Sequence, residues 1–306
     1  MGITLGATLT ACGGGSGSHG GGGGDEATLP LSTENRALAF RSVTLDLWST
    51  LNIAHFIPDG AFGWLADQCD EHSDLQEPDE NSRTVSFTQC AITDGNETPT
   101  RTDYTAALVD GMLSQHYDSE SGLRTDTFSR YASRNLGSYE EMEEAGGPVF
   151  YHQGWDTLFE AEGSVTQAND RTHFSIEQAA LRYLDTTTQI DAGVELEGDY
   201  TLQEYLISDF HLDSSDVLIL MINQFDTAGH VVRRVGDDLL ALEFTTVTAL
   251  ERTITSHPCF THGELHMTDG HGNALNILFS NNEVTFMLNG VADTITCETF
   301  ANEMAL

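Results

Sequence analysis

Residues 263–291 read GELHMTDGHGNALNILFSNNEVTFMLNGV. Three runs in this stretch, Glu264–Thr268, Ala274–Phe279 and Glu283–Leu288, carry apolar residues at alternate positions. Period-two alternation sets one row of side chains on each face of a strand. Asp269–Asn273 and Ser280–Asn282 separate the runs. These segments hold the Asp, Asn, Gly and Ser that turns require. Strands joined by such short turns pair antiparallel, and three with one apolar face make a meander with a side to bury.

The same signals recur further out. Strands are expected at Val43–Trp48, Arg83–Cys90, Val194–Glu197, Asp216–Asn223 and Leu239–Thr248. Turns are expected at Asp94–Asn96 and Asp226–Gly229, and a helical turn over Tyr139–Ala145, ahead of Gly146-Gly147-Pro148. The fold class that follows is all-β, an antiparallel meander or sandwich with little helix. Ile92–Asn96 near Cys90 echoes Met267–Asn273 near Cys259 and hints at two related halves, 36–170 and 171–306.

The chain has 306 residues, of which 39% are hydrophobic and 8% aromatic. A chain of that length can bury roughly 75% of its unfolded surface, so a true core is expected. All 12 basic residues are arginine, against 48 acids, for a formal net charge of −36. Nucleic acid and anionic lipid surfaces are repelled by such a molecule. Self-repulsion of this size is relieved by salt, which points to a saline setting.

The N-terminus reads differently from the rest. A short apolar run, Ile3–Leu9, leads into Leu9-Thr10-Ala11-Cys12, and residues 13–24 are glycine and serine except for His19. The run is too short to span a bilayer. Leu-Thr-Ala-Cys resembles the lipobox of bacterial lipoproteins. That resemblance implies a signal remnant over 1–11 and lipid on Cys12, with 12–35 as tether and 36–306 as an extracytoplasmic body. Gly13 after the cysteine implies the outer membrane. Such signals usually open with lysine or arginine, and residues 1–11 contain neither. A glycine-rich coil of this length reaches roughly 20 Å. The stretch 263–291 also resembles the closing hairpins of uncharacterised β-rich proteobacterial envelope lipoproteins, a likeness that brings no activity with it.

Five cysteines are present, Cys12, Cys69, Cys90, Cys259 and Cys297. With Cys12 lipidated, four remain, an even number that suits an oxidising compartment. Four cysteines allow three connectivities. The local pairs Cys69–Cys90 and Cys259–Cys297 are expected, each joining neighbouring strands.

Three groups of residues bear on function. His262, Glu264 and His266 share one face of a strand and have the ligand types of a zinc site. Phe56, Ile57, Phe62 and Trp64 crowd a stretch that reads as a loop because it holds Pro58, Gly60 and Gly63. They form either a binding patch for a protein, glycan or lipid partner, or a plug over the sheet. Turns such as Asp269–Asn273 offer oxygen atoms to calcium, without the spacing of an EF-hand loop. No phosphate loop, HExxH motif or nucleophile elbow occurs. The expected function is non-catalytic binding at the cell envelope through a lipid anchor in the bilayer. The alternative is a tethered hydrolase assisted by metal at His262 and His266.

Overall fold

The computed structural model describes residues 28–304 apart from 99, 143–148, 171, 192–193, 218–221, 254–258 and 281. Cys12 and the glycine tether lie outside the described residues. Thirteen strands form one sheet in chain order. They are β1 (Ser73–Asp79), β2 (Ser82–Thr98), β3 (Arg101–Asp118), β4 (Leu123–Met142), β5 (Val149–Ala168), β6 (His173–Asp191) and β7 (Val194–Val217). They continue as β8 (Ile222–Val235), β9 (Asp238–Thr253), β10 (His262–Asp269), β11 (Ala274–Ser280), β12 (Glu283–Leu288) and β13 (Val291–Thr296). Every neighbouring pair is antiparallel. The class is therefore an all-β antiparallel meander.

The C-terminal meander has the expected register. Leu265 opposes Ile277, which opposes Phe286, and all three are buried. Asp94–Asn96 is not a turn: it lies inside β2, opposite Asp103–Thr105. Asp226–Gly229 lies inside β8. The expected strand Asp216–Asn223 straddles a connection, its ends belonging to β7 and β8. Tyr139–Met142 is strand rather than helix, and residues 143–145 fall outside the described residues.

Val43–Trp48 is helical. Helices α1 (Arg36–Val43) and α2 (Leu45–Gly60) meet at Thr44. Phe40, Val43, Leu47, Leu51 and Ala54 are all buried. Their spacing of three or four residues is the helical stripe. A window of six residues shows only a false alternation. Past α2 the chain continues through the helical stretch Ala61–Leu65, α3 (Ala66–Gln68) and the turn Asp70–His72. Helix α4 (Cys297–Met304) closes the described chain. No helix among the described residues is long and apolar enough to cross a membrane.

The helices lie along the inner face of the sheet and form its core with it. Phe40 packs against Phe260, Phe279 and Phe300 with ring centroids 5.4–6.0 Å apart. Buried polar bridges then fix the helices across the strands. Asp46 of α2 accepts from Arg233 of β8 at 2.6 Å and from Arg41 at 3.0 Å. Thr50 bonds to Gln203 of β7. His55 Nδ1 meets Gln167 Oε1 at 2.9 Å, and Gln167 donates onward to Asp126. Arg124 donates to Asp126 at 2.9 Å and to the His55 carbonyl at 2.7 Å. Burial raises the Asp126 pKa, and the Arg124 charge with the Gln115, Gln167 and Arg124 hydrogen bonds offsets part of that rise. Each of these bridging side chains exchanges water for a protein partner.

A line of irregular residues crosses the sheet. Gln89, Arg130 and Asp209 have φ of 48–50°, and Gly111, Gly163, Gly229 and Gly263 have φ of 97–153°. Register shifts mark bulges beside most of them. A Cβ on Gly111 would lie 2.2 Å from the Arg130 carbonyl oxygen, so glycine is required there. Across this line the buried positions of β4 change parity, from Asp126 and Phe128 to Tyr131 and Ser133.

Both expected disulfides are present, Cys69–Cys90 and Cys259–Cys297. Neither joins two neighbouring strands. The first ties the turn after α3 to β2, and the second ties the connection after β9 to the start of α4. They fasten the helical layer to the sheet.

Candidate functional site

The proposed zinc ligands His262, Glu264 and His266 all stand on the outer face of β10, since the residues between them are buried. Alternate residues on one strand are about 7 Å apart and project in parallel. His266 Nδ1 shares a hydrogen bond with Asn276 Oδ1 of β11. Among the described residues no group of three or more His, Cys, Asp or Glu is placed to hold a metal.

The turn Asp269–Asn273 does structural work. The Asp269 carboxylate accepts from the Leu31 N–H at 2.7 Å, Asn273 Nδ2 at 2.8 Å, and the His271 and Asn273 N–H groups at 2.9 Å. Burial pushes its pKa up, and the Asn273, Leu31 and His271 hydrogen bonds more than reverse this, leaving it below the ordinary value. Its oxygens face N–H donors, where calcium would need them free.

The stretch 56–64 is helix, not loop, and its apolar residues part company. Phe56 and Trp64 are 56% and 55% exposed. Phe62 is buried, with the Arg83 guanidinium 4.3 Å above its ring, and Ile57 packs against the core. Helical geometry sends neighbours to different sides, so the four do not form one patch.

A different set of residues is brought together beyond the helices. On the inner face, deep burial ends at Ser133 of β4, Phe159 of β5, Leu181 of β6 and Gln203 of β7, apart from Gly137, which Trp155 covers. The strands run on past this limit as an apron that no helix among the described residues buries. Within it, Trp155 of β5 opposes Gly137 of β4. A Cβ at Gly137 would lie 2.3 Å and 2.6 Å from Trp155 ring atoms, so the indole rests directly on the glycine backbone. Tyr139 and Tyr151 meet edge to face at 5.6 Å, and the Arg101 guanidinium lies 4.8 Å from the Tyr139 ring centre. Tyr183 of β6 opposes Phe159 at the core end of the same face.

Each of these tyrosines donates its hydroxyl to an acceptor two residues further along its own strand. Tyr139 bonds Glu141 at 3.1 Å, Tyr151 bonds Gln153 at 3.3 Å, and Tyr183 bonds Asp185 at 3.2 Å. Loss of solvent raises the pKa of Tyr139 and Tyr183, and the carboxylate beside each adds to the rise. The three hydroxyls are held in place by these bonds. The outer face of the apron differs: its leucines are interleaved with ion pairs, Arg134 with Asp156, and Arg182 with Glu160 and Glu204 at 2.7 Å.

The sequence reading missed this set, although one signal was there. Tyr151, Gln153 and Trp155 alternate at period two, which places them on one face of a strand. Gly137, whose missing side chain seats the indole, carries no such mark. No family model matches this chain, and no curated protein or solved structure matches it either.

Proposed function

We propose that this protein is an outer-membrane-anchored envelope lipoprotein that acts by binding, with the inner face of the apron as its contact surface. The observation that carries the reading is the row of aromatic rings around Trp155, held by Gly137 and by fixed hydroxyl bonds on a rigid sheet. A preorganised face of this kind loses little side-chain freedom on binding. The tether fits the same picture. Thr28 bridges to Leu239 of β9, beside the β8–β9 turn, at the strand ends toward which the apron extends. The Leu-Thr-Ala-Cys motif and glycine tract support a lipid on Cys12, and the charge of −36 supports a body held off anionic headgroups.

Two measurements on the full chain in a Gram-negative host test this. Cys12→Ser should move the protein from the membrane fraction to the soluble fraction. A photo-crosslinking residue at Gln153, exposed on the inner face, should form adducts in the intact envelope, while one at Leu206, exposed on the outer face, should not. Equal behaviour at both sites overturns the assignment of the face.

A further inference from the structure

The geometry points to a neutral polysaccharide chain as the ligand of the apron. This rests on the binding role proposed above and names its chemistry. The aromatic groups form a trail rather than a pocket. From Tyr151 through Trp155 to Tyr183, which sits opposite Phe159, the trail spans eight residue steps of β5, about 26 Å. The Trp155 indole rests against the Gly137 backbone and is half-buried, so part of its apolar surface stays open to a ligand. The C–H face of a sugar ring is the complementary surface.

The polar groups beside the trail have the matching chemistry. Sugar hydroxyls donate hydrogen bonds, and Glu141, Gln153 and Asp185 are acceptors. Each already takes one bond from a tyrosine. A carboxylate or amide oxygen has further lone pairs to offer.

The charge of the molecule chooses among polymers. At −36 the protein repels nucleic acid, anionic polysaccharide and anionic lipid alike. Arg101, the cation at the Tyr139 ring, is itself bound to Asp103 at 2.9 Å and leaves no positive patch for an anion. A neutral chain with many hydroxyls meets neither obstacle. The exposed pair Phe56 and Trp64 belongs to the helical layer, which meets β4 at Arg124, the opposite end of that strand from the apron, and serves as the control.

The test is affinity electrophoresis of the full chain in gels containing one of four neutral polymers: a mixed-linkage β-glucan, a galactomannan, an arabinoxylan or glycogen. At least one should retard the protein equally at low and high salt. Trp155→Ala should weaken this by about tenfold or more, the scale of a central aromatic contact. Phe56→Ala should leave it unchanged. Asn135→Trp, which keeps the indole and crowds the same face, should also abolish retardation and guards against a misfolded Trp155 variant.

No retardation by any of the four overturns the proposal. So does retardation that survives both apron variants. Binding confined to polylysine and lost with salt assigns the face to a cationic partner. A dimer in sedimentation that Trp155→Ala dissolves assigns it to a second copy of the chain. In these last two cases adducts at Gln153 persist, so the ligand class fails while the binding face stands. Loss of the adducts as well ends both.

Discussion

Asp269 shows how much one carboxylate can organise. Its four accepted hydrogen bonds close the β10–β11 turn and hold Leu31, and with it the segment leading into α1. Asp269→Asn keeps one acceptor oxygen and turns the other into a donor facing donors. The expected cost is about 1–3 kcal/mol of stability, the range for a buried bond left unmade. The carboxyl binds its proton more weakly in the folded protein than in the unfolded chain. Its contribution is therefore complete above about pH 3.9, the ordinary aspartate value. It is lost as pH falls through the lower folded value. Urea melts of both proteins at pH 7 and at stepped acid pH check this. The gap between them should be largest at pH 7 and should shrink in acid. A gap that stays constant down to the acid limit would show that the charge of Asp269 adds nothing.

At the scale of strands and helices, the bulges decide both how the sheet bends and how well it could be read. Gly111 has φ of 97° and no room for a Cβ. Gly111→Ala should destabilise by about 2–3 kcal/mol, from backbone strain and from displacing β4. Gly270→Ala, at an open turn with nothing near its Cβ, should cost far less. Thermal melts of the two variants give the comparison, and equal costs would remove the bulge line as a bending device. The same line explains why β10–β12 were legible and β4–β7 were not. A short strand keeps one parity from end to end, so the pattern in 264–288 reads directly. In β4 the buried set passes from Phe128 to Tyr131, and a period-two reading fails in the middle of the strand. Asp94-Gly95-Asn96 has the composition of a turn but is paired along its length, because tertiary pairing outweighs local preference. Both disulfide pairings were expected as local links between neighbouring strands; the pairings hold, although of the four cysteines Cys90 alone lies on a strand. The apron face needed the register of three strands to assemble, and no single window contains that.

For the whole molecule, charge opposes what the core builds. Twelve arginines serve 48 acids, so most carboxylates have no cation of their own. Four of the arginines stand where burial makes a partner necessary. Arg233 and Arg41 meet Asp46, Arg124 meets Asp126, and Arg36 meets Asp293 and Glu303. The remaining acids repel one another across one continuous sheet. Screening shortens their reach from about 10 Å at 0.1 M salt to about 3 Å at 1 M. It weakens the arginine pairs too, but those within the helix–sheet interface are shielded from solvent and lose less. The balance favours salt, and the melting temperature should rise between 0.1 and 1 M potassium chloride. A chelator in every sample removes stabilisation by a bound divalent ion as an alternative cause. A potassium sulfate series separates screening from the general strengthening of apolar burial, since sulfate adds the second effect and chloride mainly the first. A melting temperature that rose only in sulfate would show that self-repulsion is not what limits this fold. One that fell in chloride would show that the arginine bridges, few as they are, contribute more than the unpaired acids cost.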